Sequence, residues 1–69
     1  MKIHSEYIKL DSFLKLANEA GSGGEAKIII AEGLVTVNGE PETRRGRKLR
    51  PGDMVRINGK SHRVEGGEA

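Results

Sequence analysis

The chain has 69 residues and no cysteine, and its twelve basic and ten acidic side chains leave a formal net charge of +2. That length makes one domain with a modest core, and the lack of cysteine excludes disulfide staples and cysteine-ligated metal. The longest apolar run, residues 28–31, is too short to cross a bilayer, and "MKIHSEYIKL" lacks the apolar segment of a signal peptide, so a cytoplasmic protein away from membranes is expected.

Residues 2–8, "KIHSEYI", alternate as a short edge strand would. From Leu10 the period lengthens. Leu10, Phe13, Leu14 and Ala17 fall on one helix face, and Asp11 stands where a carboxylate caps free amides or favours the positive end of the dipole. This helix is predicted to fade near Glu19 or Ala20, ahead of Gly21. Ser22 and Glu25 have capping-box spacing, so a second helix is predicted to start at Gly23 or Gly24 and to end at a left-handed Gly33. The Gly-rich connection should fold the helices together, Phe13 and Leu14 meeting Ile29 and Ile30.

The period then drops to two. Val35-Thr36-Val37 reads as a strand, Asn38-Gly39 as a hairpin turn, Pro51-Gly52-Asp53 as a second turn, Met54–Ile57 as a strand, and Asn58-Gly59 as a third turn before a last strand around Ser61 to Val64. The fold class is α+β: two packed short helices followed by a small antiparallel sheet of three to five short strands. Residues 1–69 form a single domain, with 65–69 expected to be a frayed tail.

The stretch "ETRRGRKLRPGD" carries Arg44, Arg45, Arg47, Lys48 and Arg50 within seven consecutive positions. Residues 1–42 balance to −3, and residues 43–69 to +5. Five like charges so close repel one another, and Glu40, Glu42 and Asp53 are too few to neutralise them. A solvated loop and a targeting tag are the bland alternatives. Flanking turn signals and apolar strand residues place the cluster inside the fold, which favours an anionic partner. Four of the five are arginine, whose planar fork binds phosphate oxygens in pairs. Tyr7 and Phe13 are the only aromatic residues, too few for a base-stacking platform, so a nucleic acid would be held by backbone and shape.

"GSGGEAK" lacks the G-K-[ST] ending of a nucleotide phosphate loop and follows a helix, not a strand, so that reading is rejected. It starts a helix, and its bare Gly23 and Gly24 amides, with Lys27 one turn on, offer a second approach for phosphate. His4 and His62 lie in opposite terminal segments and read as surface residues. The serines fit no nucleophile motif, and no acid pair suggests proton transfer. The expectation is a non-enzyme with no cofactor and no metal.

"KLDSFLKLAN", "GGEAKIIIAEGLVTVNGE" and "KLRPGDMVRI" together resemble the S-four RNA-binding domain, or α-L motif, over residues 8–58. Lys9 stands at the family's leading arginine, followed by Leu10 and Asp11. Ala26, Gly33, Val35, Val37, Asn38, Gly39, Gly52 and Asp53 match directly, whereas Gly23 replaces the usual arginine. "SGGEAK" with "RRGRKL" resembles the small stand-alone, ribosome-associated subgroup, where the basic loop would make up for that loss. The resemblance implies a protein that binds structured RNA, ribosomal or transfer, or the ribosome, in ribosome assembly or ribosome-associated quality control; a monomer with no small-molecule substrate is expected. Its candidate RNA-binding residues are Lys9, Gly23, Gly24, Lys27, Asn38, Arg44, Arg45, Arg47, Lys48 and Arg50. The basic loop is expected to share a face with Lys9 and the start of the second helix. Two other readings stay open: a duplex-DNA binder using the same phosphate contacts, and a β-grasp sulfur carrier or ubiquitin-like protein suggested by "VTVNGE" and Gly66-Gly67.

Overall fold

The computed structural model describes residues 2–3 and 6–66. Strand β1 (Lys2–Ile3) and strand β2 (Ile8–Lys9) precede helix α1 (Leu10–Leu16), which buries Leu10, Phe13 and Leu14. The edge strand expected over 2–8 is thus two short pieces, with residues 4 and 5 outside the described ones. Helix α1 stops earlier than its apolar spacing predicts. Asn18 is left-handed (φ 65°), and the amides of Asn18 and Glu19 turn back to the carbonyls of Lys15 and Leu14. That double bond is a Schellman cap, with asparagine in the place glycine usually takes.

Helix α2 (Gly23–Ala31) begins where the capping box places it, the Ser22 hydroxyl accepting from the Glu25 amide at 3.2 Å. The Glu25 carboxylate reaches back one residue further than the motif requires, to the Gly21 amide. Gly33 (φ 77°) ends the helix with the same cap: its amide bonds to the carbonyl of Ile30, and that of Leu34 to Ile29. Ala26 and Ile30 are buried and Ile29 packs on the core, so the two helices meet through the residues their spacing selected.

Strands β3 (Val35–Val37), β4 (Glu40–Pro41), β6 (Met54–Ile57) and β7 (Lys60–Arg63) form an antiparallel sheet in the order β4-β3-β6-β7. Alternation puts Val35, Val37, Val55 and Ile57 on the buried face, against Leu10, Phe13, Leu14 and Ile30. Two-residue turns at Asn38-Gly39 and Asn58-Gly59, both residues of each at positive φ, close the hairpins. Pro41 is tolerated because β4 lies at the sheet edge.

Between β4 and β6 the chain leaves this sheet. Strand β5 (Lys48–Leu49), which no periodicity announced, pairs antiparallel with β2, Ile8 opposite Leu49 and Lys9 opposite Lys48. Buried Leu49 anchors it. Strand β8 (Glu65–Gly66) pairs in parallel with β1, so residues 65 and 66 belong to the fold and not to a frayed tail; residues 67–69 lie outside the described ones. Gly66 therefore sits in a ladder opposite Ile3.

His62 also departs from its expected surface position. Its register opposite Val55 faces it inward, where its ring meets Phe13 edge-on and Nε2 lies 2.7 Å from Glu19 Oε2. No helix among the described residues is long and apolar enough to cross a membrane.

Candidate nucleic-acid interface

The basic loop is fastened to the start of α1. Lys9, at the N-cap, offers no capping side chain, and among the described residues Asp11 accepts only from the neighbouring Ser12 amide. The free amides of Leu10 and Asp11 bond instead to the carbonyls of Arg47 and Arg45, at 2.8 and 3.1 Å. A helix end that lacks its own cap thus orders a loop that lacks its own apolar anchor before Leu49. The ladder between β2 and β5 completes the attachment and sets the Lys9 and Lys48 backbones side by side.

Glu42 is the one buried charged residue among those described. Its Oε2 receives Arg44 Nε at 2.9 Å and the Arg44 amide at 3.1 Å, while its Oε1 receives Arg47 Nη1 at 2.7 Å. Bonds from Arg44 and then Arg47 hold its carboxyl down at about 2, against the opposing pull of burial, and in return push the Arg44 guanidinium up. Partial burial works against the charged form of Asp53. The Arg50 amide, the Asn38 side chain and the nearby Arg47 and Arg50 charges outweigh that and keep its carboxyl low.

Arg44, Arg47, Lys48 and Arg50 line one open depression of ≈ 470 Å³ around Gly46. Arg45, in the turn closed by the Arg47 amide on the Arg44 carbonyl, stands outside that lining. Lys48 Nζ lies 4.9 Å from the centre of the Tyr7 ring, a cation–π contact. Among the described residues only Arg44 and Arg47 of the loop are tied to a carboxylate, so the local acids leave most of the charge in place.

The other candidate residues divide. Asn38 is exposed and braces two turns: its Nδ2 donates to Asp53 and its Oδ1 accepts from the Met54 amide, clamping the Asn-Gly turn to the Pro-Gly-Asp turn. Gly23 and Gly24 lie in the first turn of α2 and Lys27 begins the second, and no hydrogen bond or ion pair joins them to the basic loop among the described residues. The loop is anchored at the first helix, beside Lys9. A Cβ at Gly23 would meet only Lys15 Nζ, 4.0 Å away, and one at Gly24 only Ser22 Oγ, at 3.8 Å. Packing does not require glycine at either place. Lys15, overlooked in the sequence, is the cation beside this turn. The buried role of Glu42 was overlooked too; its only signal was an acid beside a run of arginines.

Glu42 gives a pH signature. Its folded value, about 2, lies below the ordinary 4.5, so its contribution is complete above about pH 4.5 and fades as pH falls towards 2. At about 1.4 kcal/mol per unit the ceiling is roughly 3 kcal/mol, and the exposure of Arg44 reduces this to about 1–2. In urea melts the gap between wild type and Glu42→Gln should narrow between pH 5 and pH 2.5. Parallel acid profiles for the two proteins would contradict this pairing.

Residues 1–65 match the family model described as the S4 domain, the S-four family of the resemblance above. The chain is 52% identical over 59 residues to the "Probable ribosome maturation protein RlbA" of Bacillus subtilis, covering 86% of this chain and 83% of that protein. It resembles the solution structure of YbcJ from E. coli, described as an α-L motif protein involved in RNA binding (TM-score 0.72, 38% identity, 94% and 84% of the two chains). It also resembles the 30S ribosomal protein S4e from Thermoplasma acidophilum (TM-score 0.65, 28% identity), covering 86% of this chain and 31% of that one.

Proposed function

The chain belongs to the S4 domain family, and from that premise we propose that it is a non-catalytic RNA-binding protein whose basic loop grips the phosphate–ribose surface of folded RNA. The observation that carries the reading is the gathering of Arg44, Arg47, Lys48 and Arg50 around one open depression. The register of β2 and β5 supports it. Lys9 and Lys48 are exposed and directly opposite, an arrangement that costs stability unless an anion lies between them. Phe13 is buried and Tyr7 lies beside Lys48, so recognition runs through phosphate, ribose and shape and not through stacked bases.

The named relatives support a ribosomal setting: the partner is ribosomal RNA, or transfer RNA, during ribosome maturation. The contact set is Lys9, Arg44, Arg45, Arg47, Lys48 and Arg50, with the start of α2 (Gly23, Gly24, Lys27 and the adjacent Lys15) as a second phosphate approach. The carrier alternative is set aside on family membership and on the ladder that holds Gly66. Duplex DNA offers the same phosphates but no 2′-OH, so competition between RNA and DNA hairpins of matched sequence is expected to favour RNA.

Gly46 provides the direct test. A Cβ there meets nothing within 4 Å, so a side chain fits without disturbing the loop. Gly46→Glu places a carboxylate among four cations and is expected to lower affinity for structured RNA at least about tenfold in a filter-binding titration. Gly46→Lys should bind as well as wild type or better. Equal binding by both variants would remove the depression from the interface.

A further inference from the structure

We infer that Glu42 is a positioning residue for the RNA site, its carboxylate fixing the pose in which Arg44 and Arg47 present their remaining N–H groups to the depression. The inference rests on the RNA-binding reading above and adds to it a claim that opposes simple charge counting.

Glu42 is held from both sides. It directly follows β4, and its own amide bonds to the Val35 carbonyl at 3.0 Å, which fixes its backbone to the edge of the central sheet. Its side chain is only 8% exposed. One oxygen takes Arg44 at Nε and at the backbone amide; the other takes Arg47 Nη1, and Arg44 Nη2 approaches it at 3.4 Å. A single carboxylate therefore spans the turn from Arg44 to Arg47, itself closed by a 3.2 Å bond from the Arg47 amide to the Arg44 carbonyl.

The two guanidinium groups are not consumed by this. The Arg44 side chain keeps 75% of its surface exposed and that of Arg47 keeps 32%. Among the described residues, Arg44 Nη1 and the Nε and Nη2 of Arg47 meet no protein acceptor. Both side chains also line the depression. Each arginine thus turns one edge to a buried anchor and the other to the place where phosphate would lie.

Two effects oppose each other. A carboxylate beside a phosphate site subtracts one unit of attraction. Against that, a long flexible side chain must be ordered when it binds, and one already held loses far less freedom. The Glu42 charge is already balanced by two guanidinium groups in direct contact with it, which blunts its field at the depression, whereas the ordering term acts in full on two side chains. Preorganisation wins, and removing the negative charge should weaken binding.

The experiment measures binding of a labelled transfer RNA transcript and a labelled ribosomal RNA hairpin by fluorescence anisotropy, with far-UV circular dichroism to check folding. Glu42→Gln raises the net charge of +2 by one unit, yet it is expected to bind about tenfold more weakly to each RNA that wild type binds. Glu42→Asp keeps the charge on a shorter arm and should fall between; it carries the test if Glu42→Gln fails to fold. In an Arg44→Ala/Arg47→Ala background, Glu42→Gln should change affinity less than twofold, because its effect runs through those two side chains. Equal or tighter binding by Glu42→Gln, or the same loss in that background, would overturn the inference.

A second arm needs no RNA. The side-chain NMR signals of Arg44 Nε–H and Arg47 should report ordered, exchange-protected groups in wild type and averaged ones in Glu42→Gln. Averaged signals in wild type overturn the positioning role even if RNA binds. Ordered signals without salt-dependent RNA binding by wild type would instead overturn the RNA reading, and the functional claim made here with it.

Discussion

The triple variant Lys9→Ala/Lys48→Ala/Arg50→Ala is expected to lose about a hundredfold in affinity for structured RNA at 100 mM salt while folding as well as wild type. None of the three side chains makes a salt bridge among the described residues, and Arg50 acts on Asp53 only through its nearby charge, so little folded-state pairing is lost. Lys9 and Lys48 face each other across the β2–β5 ladder, and removing two like charges there should leave stability unchanged or slightly higher. The loss of the Lys48–Tyr7 contact works the other way, by about 0.5–1 kcal/mol at an exposed site. Salt dependence gives the sharper reading. Six phosphate contacts correspond to a log–log slope of about −4 to −5.5, and each cation removed should flatten it by about one. Arg45→Ala, outside the depression, should cost less than Lys48→Ala or Arg50→Ala. A triple variant that keeps both affinity and slope would place the RNA elsewhere on the molecule.

Phe13→Ala is expected to unfold most of the population at 37 °C. Phe13 is fully buried at the junction of both helices and the sheet, and its ring meets His62 edge-on with centroids 6.3 Å apart. Emptying such a site costs about 3–5 kcal/mol. A chain of 69 residues has roughly 4–10 kcal/mol in total. Ile28→Ala is the matched control: Ile28 is 60% exposed on α2, and its loss should change stability by no more than about 0.5 kcal/mol. Thermal and urea melts of the two variants check both values. A cost below about 1 kcal/mol for Phe13→Ala would mean that this core does not carry the fold.

These two variants test different layers of one construction. The core sets the helix pair on the buried face of the sheet, and the same packing sends the chain after β4 out to the start of α1. Loss of Phe13 should therefore also abolish RNA binding, through unfolding, whereas the triple charge variant separates binding from folding. Glu42 lies between the layers: it is buried with the fold and bonded to the site.

The sequence by itself determined the elements whose signals are local. The helix face of Leu10, Phe13 and Leu14, the Ser22 cap, the left-handed Gly33 and the Asn-Gly turns each depend on residues within one or two turns of chain, and each stands where its spacing placed it. It also determined that a positive cluster exists, since charge is a property of composition. The tertiary structure decided how that cluster is arranged. Strand β5 has two residues and forms only because β2 lies beside it; the early stop of α1 turns on one left-handed asparagine; β8 pairs with a segment some sixty residues away. The burial of Glu42, the inward turn of His62 and the anchoring of the loop at the first helix are likewise long-range results. Periodicity records which face of an element is apolar. It does not record which distant carbonyl will meet an uncapped amide, and that pairing is what turns a run of cations into a shaped surface.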